Sequence, residues 1–214
     1  MKNAILYLIL IFSFSAKSQM NFKSEVNAIQ EKNKHLIKTE NKHIVFTGSS
    51  SIRIWENLFE IFKDSTIVNT GFGGSKASDL LYYIDELVIN FNPKKVVIYE
   101  GDNDINSGQE INFIYKNILK IIERIKDKND KIKIILISAK PSISRWHLRD
   151  KYIQLNQKYR ELANKSDFIE FADTWSAMIE NGVLKKDIFI EDGLHLNEKG
   201  YEIWEKTLKK VFYK

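Results

Sequence analysis

Short apolar runs alternate along this chain with longer segments whose apolar residues recur at helical spacing. Buried strands are predicted at five runs, namely 44–46, 65–70, 94–100, 132–138 and 168–171. Helices are predicted within 20–40 and 51–62, at about 75–91, and at the apolar positions of 114–125, 152–162 and 201–211. Strands that alternate with helices form right-handed βαβ units. The pattern therefore predicts one domain with a parallel sheet that is covered by helices on both faces.

Unusual residues gather in the loops that follow the predicted strands. Ligands of parallel sheets bind beyond the carboxyl ends of the strands. The loops after the first three strands are rich in glycine, serine and short polar residues, and a similar loop precedes the last helix. The four segments are Gly48–Ser51, Gly71–Gly74, Gly101–Asp104 and Asp192–His195. We expect them to meet at one edge of the sheet.

Ser50 is the candidate nucleophile of such a site. A serine between the end of a strand and the start of a helix lies beside free N–H groups, which attract an oxyanion. The serines of this turn could instead serve only to cap the helix. The turn by itself also separates Ser50 poorly from Ser49 and Ser51. The choice between these interpretations depends on the other loops.

His195 is the candidate general base. It is one of four histidines in the chain, and Asp192 stands three residues before it in the same loop. That carboxylate could accept a hydrogen bond from one ring nitrogen and leave the other nitrogen for Ser50. In the alternative interpretation, Asp192 caps the last helix and His195 is a surface residue. His35 and His43 are predicted to lie away from the site.

Acyl transfer also requires donors for the oxyanion. The candidates are the N–H groups of Ser50 and Gly74 and the side-chain amide of Asn103. Gly74 has no Cβ, so its N–H can approach a ligand closely. Asn103 supplies a neutral donor that does not titrate.

Two other kinds of site fit parts of this set. A metal ion could be sought at Asp102–Asp104, but three adjacent residues do not converge their side chains on one ion. A phosphate or nucleotide could bind at Gly71–Gly74, as in other proteins of this fold class. That interpretation leaves Asp192 and His195 without a role.

Together these motifs resemble the SGNH hydrolases, also called GDSL-type esterases, and are most similar to the branch akin to platelet-activating-factor acetylhydrolase catalytic subunits. The resemblance spans about residues 42–212. It implies a flavodoxin-like three-layer α/β/α sandwich with about five parallel strands, and ester hydrolysis without a metal or another cofactor. It also implies a triad of Ser50, Asp192 and His195, with Ser50, Gly74 and Asn103 forming the oxyanion hole.

One residue departs from the pattern of that family. Ser49 stands where the Gly-Asp-Ser signature has an aspartate. Neither proton transfer nor oxyanion binding requires an acid there, so we expect activity to survive. The turn also differs from the Gly-x-Ser-x-Gly elbow of α/β-hydrolases, because Ile52 stands where the last glycine would be.

The substrate is less well defined by the sequence. Phe72, Trp146, His147 and Trp175 are candidate substrate contacts, although aromatic side chains pack in a core more often than they stack on sugars. We expect a short acyl ester, above all an acetyl ester on a small molecule or glycan. The alternatives are a lysophospholipid or other lipid ester, or a non-catalytic carbohydrate-binding protein on the same scaffold.

Composition excludes some classes of protein. The chain has no cysteine, so neither disulfides nor thiolate metal sites are expected. Its net charge is +5, or +3 without Lys2 and Lys17 of the first eighteen residues, which is too mild and too evenly spread to indicate nucleic-acid binding. The pattern does not predict an oligomeric state.

The first eighteen residues have the pattern of a secretion signal. Lys2 is followed by the apolar run 4–14 and by Ala16-Lys17-Ser18, a small-x-small cleavage pattern. The run is too short to span a bilayer, which needs about 20 residues, so stable membrane insertion is not expected. An uncleaved amphiphilic anchor is the alternative. We therefore predict a signal peptide at 1–18, a single domain at 19–214, and a secreted or periplasmic protein.

Overall fold

A computed structural model describes residues 22–40, 42–63 and 66–213 of the chain. Its strands are β1 His43–Gly48, β2 Ile67–Asn69, β3 Pro93–Tyr99, β4 Lys133–Ile137, β5 Ile169–Ala172, β6 Ile179–Glu180 and β7 Val183–Leu184. The first five form a parallel sheet in the spatial order β2-β1-β3-β4-β5, and the last two form an antiparallel hairpin. This order is that of flavodoxin-like sheets, so the predicted fold class is confirmed.

Helices connect the strands of the sheet. They are α1 (22–32), α2 Ser50–Arg53, α3 Leu58–Phe62, α4 Ala77–Tyr82, α5 Ile84–Leu87, α6 Asp102–Asn106, α7 Ile111–Lys128, α8 Arg149–Asn164, α9 Thr174–Ala177 and α10 Glu198–Phe212. Short 3₁₀ turns lie at Lys34–Leu36, Ile89–Phe91 and Trp146–Leu148. None of the helices within the described ranges is long and apolar enough to cross a membrane.

The buried strand residues alternate between two hydrophobic cores, one on each face of the sheet. On one face, Val45, Val96 and Ile134 pack with α1, α4, α5, α7 and α8. On the other face, Phe46, Val97 and Ile135 pack with α2, α3 and α10. Successive side chains of a strand point to opposite faces, and this is why strands with unbroken apolar runs lie between two helical layers.

Two predicted helices are interrupted in the structure. The segment 51–62 forms α2 and α3, which are separated at Ile54–Asn57, and the segment 75–91 forms α4, α5 and a 3₁₀ turn. Its breaks lie at Tyr83 and Val88, whose ψ angles of 22° and −60° accompany φ angles of −100° and −132°. The apolar residues stay on one face through these turns, so hydrophobic spacing predicts a continuous helix where short pieces occur.

The order of the strands determines where the site can lie. β1 is flanked by β2 on one side and by β3 on the other, so the connections from β1 and β3 diverge and leave a crevice beyond their carboxyl ends. The loops that contain Ser50 and Asn103 leave the sheet at this point. The predicted signal peptide at 1–18 lies outside the described residues, and its cleavage stays a prediction.

Candidate active site

The turn after β1 presents Ser50 and buries its two neighbours. Gly48 has φ +125°, and a Cβ built there would lie 2.0 Å from the carbonyl oxygen of Tyr99. Only glycine fits this position, where Gly48 pairs with Tyr99 of β3. Ser49 and Ser51 are each 2% exposed, whereas Ser50 is half-buried and its Oγ lies 2.9 Å from Nε2 of His195. The structure therefore singles out Ser50 among the three serines.

His195 lies between Ser50 and Asp192. Its Nδ1 is 2.5 Å from Oδ2 of Asp192. An ionised carboxylate can only accept, so Nδ1 carries the proton and Nε2 is left as the acceptor for the Ser50 hydroxyl. Oδ1 of Asp192 accepts from the backbone N–H groups of Leu194 and His195, at 2.8 and 2.9 Å. The aspartate thus fixes both the ring of the histidine and the loop that bears it.

The pKa of Asp192 follows from these contacts. Partial desolvation raises it, but the hydrogen bonds from the His195 ring and from the Leu194 and His195 N–H groups outweigh that effect and lower the pKa to about 2. The carboxylate therefore stays charged throughout the neutral range. It can stabilise an imidazolium that forms when His195 takes a proton.

The loop that contains His195 is separate from the last helix. Backbone hydrogen bonds close it, from Ile190 N to His195 O and from Gly193 N to Ile190 O, and Ser144 N donates to Gly193 O. α10 begins at Glu198, and its cap is Asn197, whose side chain accepts from the N–H of Gly200. The alternative in which Asp192 caps the last helix is therefore wrong.

Gly74 and Asn103 belong to two segments that a hydrogen bond joins at the carboxyl edge of the sheet. Gly74 has φ +78°, and a Cβ built there would meet no atom within 4 Å, so its backbone is open to a ligand. Nδ2 of Asn103 donates to the carbonyl of Ser75 at 2.9 Å, which ties α6 to the residue after Gly74. This loop also touches the nucleophile helix, because a Cβ on Gly71 would lie 2.4 Å from the backbone nitrogen of Arg53.

Two buried acids, Glu100 and Asp104, accept hydrogen bonds from the segment that follows Gly74. The hydroxyl of Ser75 donates to Glu100 at 2.7 Å, and the N–H of Ala77 donates to Asp104 at 3.1 Å. Burial is the main cause that raises the pKa of Glu100 well above its usual range. Burial likewise raises the pKa of Asp104 to about 7, against the lowering effect of the Ala77 N–H. Through these hydrogen bonds the two carboxyl groups hold the start of α4 against the segment that follows β3.

Asp102 is the centre of a charged cluster that the sequence did not predict. Its side chain accepts from Arg145 at 2.6 Å, from Lys140 at 3.4 Å, and from the hydroxyls of Tyr152 and Tyr99 at 2.5 and 3.0 Å. Burial alone would raise the pKa of Asp102, but the two cations and the hydrogen bonds lower it. The sequence showed Asp102 only as a turn residue. A usable signal was Lys140, which follows β4 at the same edge of the sheet.

The predicted substrate contacts have different environments. Phe72 is 0% exposed and packs edge-on against Phe22 with ring centroids 5.2 Å apart, so it is a core residue and its predicted substrate contact is wrong. Trp146 and Trp175 are half-buried and stacked, with centroids 6.1 Å apart and an interplanar angle of 11°. His147 is exposed in the adjoining 3₁₀ turn. Trp146 and His147 lie in the 3₁₀ turn after β4, and Trp175 lies in α9 after β5.

The remaining histidines lie outside this cluster, as predicted. His35 is exposed in the turn after α1. His43 is buried at the start of β1, where its Nδ1 lies 2.8 Å from the carbonyl oxygen of Phe91. Within residues 22–40, 42–63 and 66–213, no three His, Cys, Asp or Glu side chains group as ligands for a metal ion.

An apolar groove borders the histidine loop. Its volume is about 370 Å³, and it is lined by Ile143, Trp146, Gly182, Val183, Leu184 and Lys186. One wall is the loop after β4 and the other is the hairpin of β6 and β7. A Cβ on Gly193 would lie 3.2 Å from Cβ of Ile143, so the groove adjoins the segment between Asp192 and His195.

Residues 47–203 match the model of the GDSL-like Lipase/Acylhydrolase family, a range that contains all the residues of the crevice described above. A solved structure from Streptococcus pneumoniae, described as a platelet activating factor protein, is 29% identical with a TM-score of 0.77 and covers 94% of this chain and 99% of its own. A protein from Bacteroides fragilis, assigned as an acylhydrolase, is 27% identical with a TM-score of 0.73, over 86% of this chain and 93% of its own.

Two further proteins extend the comparison. A GDSL-like lipase from Bacteroides thetaiotaomicron is 25% identical with a TM-score of 0.73, over 88% of this chain and 97% of its own. Among curated sequences, the N-acylneuraminate cytidylyltransferase of Escherichia coli is 28% identical over 93% of this chain. The chain spans about half the length of that relative, since 51% of it is covered.

Proposed function

The chain belongs to the GDSL-like lipase/acylhydrolase family, and we propose that it is a serine esterase with Ser50 as nucleophile, His195 as general base and Asp192 as the residue that orients the base. One observation carries this proposal. A continuous line of hydrogen bonds joins Oγ of Ser50 to Nε2 of His195 at 2.9 Å and Nδ1 of His195 to Asp192 at 2.5 Å. A nucleophile, a base and an orienting acid in contact are the requirement for acyl transfer.

Acylation begins when His195 takes the proton of Ser50 as Oγ attacks the ester carbonyl. The developing oxyanion is held by the N–H groups of Ser50 and Gly74 and by the amide of Asn103. An amide nitrogen has two protons, and Asn103 uses one for the Ser75 carbonyl. The other is available to the oxyanion. Collapse of the tetrahedral intermediate expels the alcohol, which takes its proton from His195.

Deacylation repeats the same steps with water. His195 removes a proton from a water molecule that attacks the acyl-enzyme, and the same donors hold the second oxyanion. The acid leaves, Ser50 regains its proton, and the free enzyme is restored. Asp192 stays ionised at every stage, because its pKa of about 2 lies far below the working range.

The substrate proposed for this site is a short acyl ester, above all an acetyl ester on a carbohydrate. Trp175 is stacked between Trp146 and Tyr152, so Trp146 supplies the aromatic surface of the kind on which sugar rings pack. The curated relative is named for N-acylneuraminate, a sugar, and this supports a glycan or a small sugar as the alcohol part. Secretion through the signal at 1–18 would bring the enzyme to such substrates outside the cytoplasm.

A lipid ester is the second candidate, and the apolar groove is the observation that favours it. Val183 and Ile143 at its walls are 63% and 42% exposed, so the groove presents apolar surface that a ligand could cover. An acyl chain or a lysophospholipid tail could lie there. Comparison of 4-nitrophenyl acetate with the octanoate separates the two candidates, since a groove that binds an acyl chain lowers KM for the longer ester.

Ser50→Ala tests the proposed chemistry. We expect it to lower turnover of 4-nitrophenyl acetate by about 10⁴-fold or more, with unchanged thermal unfolding. Ser51→Ala is the matched control, because it removes the hydroxyl of a buried neighbour while Ser50 keeps its contact with His195, and we expect its turnover to stay within about threefold of wild type. A fluorophosphonate should label Ser50 and no neighbouring serine. Equal turnover in Ser50→Ala and wild type would exclude the triad.

Export is tested separately. Expression of the full chain in a bacterium, followed by amino-terminal sequencing of the protein outside the cytoplasm, should give a start near residue 19. An intact amino terminus in the membrane fraction would instead indicate the uncleaved anchor.

A further inference from the structure

A buried lysine and a largely buried arginine share one carboxylate, that of Asp102, which precedes the proposed oxyanion donor Asn103. Lys140 is 0% exposed and Asp102 is 4% exposed. The side chain of Arg145 is 12% exposed, and its NH1 lies 2.6 Å from Oδ1 of Asp102. Burying an ion pair usually costs as much as it gains, and apolar residues of similar volume are often equally stabilising. The stability of the fold therefore does not account for this cluster.

The second contact of each cation shows what the cluster does. NH1 of Arg145 also donates to Oδ1 of Asn103 at 3.2 Å. Nζ of Lys140 also donates to the carbonyl of Leu194 at 2.7 Å. Asn103 lies at the oxyanion site, and Leu194 lies between Asp192 and His195. One carboxylate thus connects the two halves of the crevice, which come from segments far apart in the chain.

We propose, on the basis of the function inferred above, that Arg145 is a positioning residue that orients and polarises the Asn103 amide toward the oxyanion, and that Lys140 holds the His195 loop in line with it.

The orientation of an amide depends on its partners. A guanidinium can only donate, so the atom of Asn103 that faces Arg145 must be the oxygen. Nδ2 then faces the Ser75 carbonyl and the crevice. A flipped amide would point its oxygen at the oxyanion and repel it. Arg145 disfavours the flipped amide, because the flip would place the NH₂ group of Asn103 against the N–H groups of the guanidinium, and both are donors.

Polarisation adds to orientation. Hydrogen bonds in a chain strengthen one another, by roughly 10–30% per bond in condensed-phase estimates. The charge of Arg145 withdraws electron density from the Asn103 carbonyl and makes its N–H a stronger donor. With one carboxylate and two cations, the cluster also has a positive charge in excess, and that charge favours a transient anion nearby.

A double-mutant cycle tests this proposal. We compare wild type, Arg145→Met, Asn103→Ala and the double variant by kcat and KM for 4-nitrophenyl acetate. Arg145→Met should lower kcat about 10- to 100-fold, less than loss of the donor itself, which costs about 10²–10³. KM should change less than twofold, because Arg145 acts through Asn103 and not on the substrate. In the Asn103→Ala background, Arg145→Met should lower kcat less than about twofold further.

Two further variants make the cycle decisive. Arg124→Met is the matched control. Arg124, on α7, also pairs with a carboxylate, since its NH2 lies 2.9 Å from Oδ1 of Asp85 on α5. The kcat of this variant should equal that of wild type. Arg145→Lys keeps a charge beside Asp102 in case Arg145→Met does not fold, and it should lose less of kcat with the same non-additivity. Thermal unfolding and the fraction labelled by a fluorophosphonate give the concentration of folded sites.

The outcomes separate this proposal from the function on which it rests. Multiplicative losses in the cycle, or an effect of Arg145→Met on KM alone, would overturn the role of Arg145 in an enzyme that is otherwise active. Wild-type turnover that survives Ser50→Ala would instead overturn the triad.

Discussion

Asn103→Asp is the sharpest single test of the oxyanion site. The substitution keeps the shape of the side chain and exchanges a donor for an acceptor. Asn103 now donates to the Ser75 carbonyl at 2.9 Å and accepts from Arg145 at 3.2 Å. An aspartate would keep the second contact and lose the first. It would also place a negative charge where the proposed mechanism forms one.

The expected loss of activity follows from two terms. Removing one oxyanion donor costs about 10²–10³ in kcat, or roughly 2.7–4 kcal/mol. Two unit charges about 4 Å apart repel by about 4 kcal/mol at an effective dielectric constant near 20. Together they predict a loss of kcat beyond about 10³-fold. Stability should change less, because the bond lost at Ser75 costs about 1–3 kcal/mol and Arg145 attracts the new carboxylate in compensation.

The assay measures kcat and KM for 4-nitrophenyl acetate beside urea unfolding of each variant. Asn106→Asp is the matched control, since it makes the same exchange at an exposed position of α6, and it should retain wild-type kcat. An Asn103→Asp enzyme whose kcat stays within tenfold of wild type would refute the placement of Asn103 at the oxyanion.

Further predictions concern the frame of the site. Gly48→Ala should cost at least about 4 kcal/mol in thermal unfolding, because its Cβ would lie 2.0 Å from the Tyr99 carbonyl; a folded variant with native melting would contradict this. Phe72→Ala should cost about 3–5 kcal/mol with unchanged KM, whereas Trp146→Ala should raise KM for a sugar ester with little change in stability. The raised pKa of Asp104, about 7, means that the folded state binds more protons than the unfolded state between about pH 4 and 7. The free energy of unfolding should therefore fall as pH rises through that window, and Asp104→Asn should flatten the decline in urea titrations between pH 5 and 8.

Much of the fold could be predicted from the hydrophobic pattern. All five strands of the sheet lie within the predicted runs or within a few residues of them. Short runs rich in β-branched residues are typical of strands that are buried on both faces. The breaks after Arg53 and at Tyr83 could not be predicted, since the apolar residues keep helical spacing through them. Tertiary packing determines those turns, and the spacing of apolar residues along the sequence contains no information about it.

The residues of the crevice could be predicted for a related reason. Ser50 and Asn103 directly follow strands, and Gly74 lies in the loop after another, so a topological rule brings them to one edge. Phe72 shared that position in the chain but turned inward. The supports of the site come from long range: Lys140 and Arg145 lie 38 and 43 residues from the Asp102 that they contact. No period or motif connects such pairs.

The two halves of the site differ in how they are held, and this difference explains why the supports are charged. Ser50 follows β1, the strand that pairs with both β2 and β3, so the sheet itself fixes it. His195 lies on a short loop outside the sheet, and the side chain of its partner Asp192 is 41% exposed. Water competes for such a carboxylate, so the loop needs an anchor that water cannot reach. The fully buried ammonium of Lys140, which donates to the Leu194 carbonyl, is such an anchor. If Lys140 moved away, the buried carboxylate of Asp102 would lose one of its two cations. An apolar residue of similar volume could fill the space occupied by Lys140. It could not bridge Asp102 and the Leu194 carbonyl, so it could not hold the His195 loop in place relative to Asp102.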